Sequence, residues 1–185
     1  MKKLNVIVMV LATASISLSS SAQIQQGNVF VGGNIANLGL VLSAPQTFSA
    51  DVKPTVGWFV ANNVAVGAYG DFGVVSVKGG GATYNYGAGG LTRFYAGSAL
   101  DVLNHGRFFG QATLGLSATG GNIGSRVRGQ LNVGPGFSYF ITPSVGLETL
   151  LLYTGAKGFN DDNYIHALAL SFGLQVYLPG KNRGK

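Results

Sequence analysis

The chain contains no cysteine, one tryptophan, two methionines and five prolines in 185 residues, and only 10% of its side chains are charged. Without cysteine there is no disulfide framework, no thiolate metal site and no cysteine nucleophile. Soluble domains carry roughly 25% charged residues, so this chain lacks the polar coat of an ordinary cytosolic protein. Scarce proline and the absence of a three-residue glycine period exclude collagen, and abundant aromatic and β-branched residues exclude a disordered chain. Acidic residues are few, 6 against 12 basic, for a formal charge of +6. That excess is terminal: with Lys2, Lys3, Lys181, Arg183 and Lys185 set aside, 7 basic and 6 acidic residues remain, and the body carries +1. No basic patch of the kind that binds nucleic acid is left. A long hydrophobic run is also missing. Residues 4–14 form an apolar stretch of 11, short of the ~20 that a membrane-spanning helix needs, and no later stretch reaches ~18 without glycine or polar interruption.

What the N-terminus does contain is a secretory pattern. Met1, Lys2 and Lys3 form a positive start, the apolar stretch follows, and a serine-rich segment ends at Ser20, Ser21 and Ala22 with small residues at the −3 and −1 positions of a cleavage site. The expected signal peptide is residues 1–22, with no cysteine for lipid attachment, and the mature chain of 163 residues is exported.

In the mature part the hydrophobic period is two rather than 3.6, in segments long enough to cross a bilayer as tilted strands. His166, Leu168, Leu170, Phe172, Leu174, Val176 and Leu178 fall on one face, and Ala167, Ala169, Ser171, Gly173, Gln175 and Tyr177 on the other. Residues 126–139 repeat the pattern: Val127, Leu131, Val133, Phe137 and Tyr139 oppose Arg126, Arg128, Gln130, Asn132, Gly134, Gly136 and Ser138. One face suits lipid and the other a narrow polar lumen. The same reading predicts eight strands, at 28–42, 49–60, 64–77, 82–95, 106–119, 125–140, 145–156 and 164–178, with the connectors 61–63, 96–105 and 141–144 on the periplasmic side. The fold class is therefore all-β, an eight-stranded antiparallel transmembrane barrel spanning residues 23–178, followed by a basic tail at 179–185 that solubilises the C-terminus.

The sequence has 30 glycines, more than twice the usual ~7%, and many occupy inward positions: Gly57, Gly67, Gly73, Gly87, Gly89, Gly115, Gly134, Gly136 and Gly173. A narrow barrel has little interior room, so this bias has a geometric cause. Trp58, Tyr84, Phe94, Tyr139, Tyr153 and Tyr164 fall near strand ends, where interfacial aromatic girdles belong.

Two segments look like versions of one another: 54–67, running Pro-Thr-Val-Gly-Trp-Phe-Val-Ala-Asn-Asn-Val-Ala-Val-Gly, and 135–148, running Pro-Gly-Phe-Ser-Tyr-Phe-Ile-Thr-Pro-Ser-Val-Gly-Leu-Glu. Each has an aromatic pair, a short polar turn and a new alternating strand. Together with the stretches 86–95, 108–115 and 170–178, they carry a resemblance that covers essentially the whole mature chain. The sequence resembles the small outer-membrane β-barrel family of Gram-negative bacteria, the eight-stranded porin-like proteins. The resemblance implies insertion by the barrel-assembly machinery, which in that family reads a terminal aromatic; here residues 179–185 follow Leu178.

The inward charges are Asp51, Lys53, Asp71, Arg93, Arg107, Arg126, Arg128 and Glu148. Charges in a narrow lumen must be paired or hydrated, and strand direction puts Arg93, Arg107 and Glu148 toward the periplasmic end. Glu148 is expected to pair with Arg93 or Arg107. The favoured reading is a structural plug; a gate is the alternative. A catalytic reading, as in lipid-A-modifying barrels, has only His166, Asp161, Asp162 and outward-facing Ser76 to draw on, in a spacing that matches no motif, and His105 sits in a connector. No catalytic site, metal site or cofactor is expected, and Gly79, Gly80 and Gly81 lack the Lys-Ser/Thr of a phosphate loop. The expected protein is a monomer in outer-membrane lipid with a structural or interaction role, its outer loops available to a ligand. A small-solute pore is the next reading, and a soluble barrel with an apolar interior is opposed by the inward arginines and outward leucines.

Overall fold

A computed structural model describes residues 24–41, 47–97, 105–121, 126–159 and 164–180. Alternation of a lipid-compatible side chain with a small or polar one is sustained long enough for each strand to run 13 to 17 residues. The elements are β1 (Val29–Val41), β2 (Thr47–Ala61), β3 (Val64–Val77), β4 (Gly81–Tyr95), β5 (Gly106–Gly121), β6 (Arg126–Thr142), β7 (Val145–Gly158) and β8 (Tyr164–Leu178). Each pairs antiparallel with its sequence neighbours and β8 returns to β1, closing the barrel in the order β1 to β8. All eight predicted strands form, with ends shifted by a few residues. No helix among the described residues is long and apolar enough to cross a membrane.

The duplicated segments have a structural counterpart. Asn62-Asn63 joins Ala61 to Val64, and Pro143-Ser144 joins Thr142 to Val145, as two-residue hairpins. In both, the register slips just before the turn, between Phe59 and Ala61 and between Phe140 and Thr142. Asn63 takes a left-handed backbone (φ 64°), which asparagine tolerates better than most residues. These hairpins, the start of β1 and the finish of β8 define the terminal end of the barrel; the opposite end is distal.

Period-two alternation sorts the aromatic dyads of the terminal end. Trp58, Phe94, Phe108 and Tyr139 point out and are exposed, whereas Phe59, Tyr95, Phe109 and Phe140 point in and are buried. One dyad thus supplies both a girdle residue and a piece of core. Tyr84, Tyr153 and Tyr164 are exposed at the distal end, and the band between the girdles consists of outward residues such as Leu114, Leu131, Leu151, Leu170 and Phe172.

The inward glycines sit where the walls approach one another. A Cβ on Gly57 would lie 2.5 Å from the Phe30 ring, and one on Gly136 would enter the Phe109 ring. Tyr69 lies over Gly89 and Gly115 in the same way. By contrast, Gly110 and Gly155, on the outer face, have open space at the Cβ position. The core is consequently the lumen itself, filled by aromatic rings that lie on glycine backbone.

Candidate functional site in the barrel lumen

The lumen has three levels. At the terminal end Ile24, Phe30, Phe59, Tyr95, Phe109, Phe140 and Tyr177 form a buried cluster. Ile24 reaches it because residues 24–27 fold under the barrel, with Asn63 N–H donating to the Ile24 carbonyl at 3.0 Å and Gly27 N–H to the Phe59 carbonyl at 2.8 Å. Nothing in the periodicity indicated this strap, since it precedes the first strand.

Within the aromatic floor sits a fully buried ion pair. Arg93 Nη1 donates to Glu148 Oε1 at 2.8 Å and neither side chain meets solvent. Arg93 Nε also donates to Gln111 Oε1 at 2.6 Å. The guanidinium plane lies between two rings, 4.9 Å from the Phe30 centroid and 4.6 Å from that of Phe109. Glu148 Oε1 accepts from the Tyr177 hydroxyl at 2.9 Å and from Ser138 at 3.3 Å, and the Tyr177 and Tyr95 hydroxyls are 2.8 Å apart. Burial of two charges costs several kcal/mol each, which their attraction offsets only with good geometry and further hydrogen bonds. The tyrosine hydroxyls, Gln111 and Ser138 supply such bonds at Arg93 Nε and Nη1 and at Glu148 Oε1, while Arg93 Nη2 and Glu148 Oε2 are buried without a hydrogen-bond partner among the described residues, and the two rings supply cation–π contact.

The middle level is neutral. Asn132 Nδ2 donates to Thr113 Oγ1 at 2.7 Å while Asn132 Oδ1 accepts from Thr154 at 2.6 Å and Gln130 at 2.9 Å. Gln175 Nε2 donates to Thr55 Oγ1 at 3.1 Å. The space remaining here is about 20 Å³. Above it the lumen widens to a distal cavity of about 360 Å³ lined on one side by Asp51, Lys53, Asp71, Asn85, Arg128 and Gln130. Lys53 Nζ lies 3.2 Å from Asp71 Oδ2, and both side chains are partly exposed.

The eight charges singled out from the sequence therefore divide. Arg93 and Glu148 pair in the floor, as expected, with Arg107 buried at the same end opposite Ser138. Asp51, Lys53, Asp71 and Arg128 line the distal cavity. Arg126 begins β6 at that end; its side chain lies outside the described residues. So do Asp161, Asp162, residues 1–22 and the basic side chains of residues 181–185. His166 is on the outer face, its Nδ1 2.6 Å from the Tyr153 hydroxyl and its ring stacked with Tyr164. Ser76 is on β3, separated from β8 by β1 and β2, so the two are not brought together. His105, in the connector before β5, lies against Tyr139. Gly79 and Gly81 take positive φ in the tight turn between β3 and β4.

Among solved structures, the N-terminal β-barrel domain of Pseudomonas aeruginosa OprF is similar, with a TM-score of 0.57 at 13% identity over 83% of this chain and 98% of that one. Neisserial surface protein A (NspA) is likewise similar, with a TM-score of 0.57 at 19% identity over 80% of this chain and 95% of that one. The chain has the fold of the small eight-stranded outer-membrane barrels. No protein-family model matches it, and no curated protein matches it in sequence. At these identities the likeness concerns the barrel alone. The floor, the middle level and the distal cavity have to be read from this chain's own residues.

Proposed function

We propose that the protein is an outer-membrane barrel of a Gram-negative bacterium, exported by a cleaved signal peptide, with a structural or interaction role rather than a conducting or catalytic one. The observation that carries the reading is the pairing of an apolar outer wall with a lumen sealed at the terminal end by Arg93, Glu148 and their ring of aromatics. Exposed leucines and phenylalanines around a closed barrel have their natural solvent in lipid, and the soluble-barrel reading needs those faces reversed. With the termini in the periplasm, the distal connectors and the cavity face outward, where they are available to a surface ligand or an envelope partner.

The test is the gel mobility of the protein from isolated outer membranes with and without boiling, together with planar-bilayer recording. A heat-dependent shift with no stable conductance supports the reading. Recovery in the soluble periplasmic fraction without a shift overturns the membrane assignment, and stable channels overturn the sealed lumen in favour of a small-solute pore. Catalysis on lipid A is the remaining reading. It predicts altered acylation in His166→Ala, whereas a scaffold leaves acylation unchanged.

A further inference from the structure

The closure of the barrel is uneven. The β1–β8 ladder runs over eight positions, from Val29 opposite Leu178 to Ala36 opposite Ser171, and ends there. Both strands continue, β1 to Val41 and β8 back to Tyr164. Above Ala36, β1 is paired with β2 and β8 with β7, yet not with each other. The β1–β2 register shifts between Ala36 and Gly39, just where the β1–β8 ladder ends, and a strand with an extra residue of this kind bends and twists more strongly.

Eight paired residues rise roughly 20 Å at ordinary strand rise and tilt, against an apolar band of about 25 Å, so the separation begins within the distal leaflet. Unpaired backbone costs several kcal/mol per group in hydrocarbon and is tolerated at membrane depth only where it borders a hydrated cavity. The distal cavity lies at that point. Its lining includes Ala36, Ala167, Ala169 and Ser171 from the inner face and also Leu168, which strand parity puts on the lipid face and which is 70% exposed. The cavity thus borders the stretch of β8 that has no ladder to β1. Its β8 side is apolar except for Ser171, while Arg128 stands on β6, across only β7 from β8, and has no ion pair among the described residues. The other cavity cation whose side chain is described, Lys53, is offset by Asp71. Two carboxylates in the same cavity oppose a dianion, and a single arginine matches a monoanion.

We propose that the seam between β1 and β8 is a lateral portal through which a single-chain carboxylate amphiphile enters from the outer leaflet, its head at Arg128 and its chain passing Ala167, Leu168 and Ala169 into lipid. This rests on the membrane reading given above.

The test uses the full chain in phosphatidylcholine nanodiscs, with a spin-labelled sixteen-carbon carboxylic acid and its methyl ester as probes, and reads the motionally restricted fraction. The acid is held and the ester is not; Arg128→Gln weakens association about tenfold, the loss of one charge-assisted contact. Ala169→Trp fills the seam and abolishes the acid-specific signal; Ala167→Trp serves if that variant does not show the heat-dependent shift of a folded barrel. Lys157→Gln, on the outer face of β7, leaves binding unchanged. Equal restriction of acid and ester, insensitivity to Arg128→Gln and the seam variants, or an equal loss in Lys157→Gln overturns the portal in favour of ordinary boundary lipid. If wild type itself shows no heat shift, the membrane reading fails; if it shifts but does not hold the acid, only the portal fails.

Discussion

Arg93 on β4 and Glu148 on β7 meet across the lumen at 2.8 Å, joining strands that share no ladder. This cross-brace is buried beneath aromatic rings, so it is not screened as a surface pair would be. Glu148→Gln leaves the Arg93 charge buried without its partner, and a loss of about 3–5 kcal/mol in unfolding free energy is expected. Urea titration of the refolded protein measures it. Arg93→Met combined with Glu148→Leu recovers much of that loss, because removing both charges also removes their desolvation cost. Neither variant conducts in a planar bilayer, since the rings around the pair remain.

The cavity pair behaves differently. Lys53 and Asp71 are 3.2 Å apart but partly exposed, and Asp71→Asn is expected to cost no more than about 1 kcal/mol, with the difference shrinking as salt is raised. The same titration at low and high ionic strength checks it. A cost equal to that of Glu148→Gln would show that the distal cavity is not hydrated.

Glycine positions give a graded series. Gly57→Ala and Gly136→Ala drive a methyl group into the rings of Phe30 and Phe109, and each is expected to destabilise by about 1–3 kcal/mol through overpacking. A smaller partner, as in Phe109→Leu with Gly136→Ala, returns part of the loss. Gly67→Ala meets the Val56 carbonyl and Gly57 backbone instead, so no side-chain change relieves it. Gly110→Ala, where the added methyl faces open space, is neutral to slightly stabilising, since it also lowers unfolded-chain entropy.

Trp58 is the one tryptophan, outward and exposed at the terminal girdle. Its fluorescence in bilayers is expected to be blue-shifted, resistant to aqueous iodide and quenched most by lipids brominated near the headgroup. Quenching by iodide as strong as for free tryptophan would place this face in water and reverse the barrel's inside and outside.

Strand number, strand placement and the inward or outward facing of most residues follow from the sequence by itself, because a period of two ties side-chain direction to position along the chain. That rule separates Trp58 from Phe59 and Tyr139 from Phe140, puts small residues where walls converge, and marks Arg93 and Glu148 as inward at the same end. It carries no information about distance across the lumen. Which of Arg93 and Arg107 meets Glu148, how Phe30 and Phe109 enclose the guanidinium, and why Ile24 lies in the core all depend on closing the sheet, which brings together strands remote in the chain. The bulge after Ala36 and the early end of the β1–β8 ladder belong to closure as well: a ladder's length is set by two strands at once, and the last strand meets the first only when the barrel is complete.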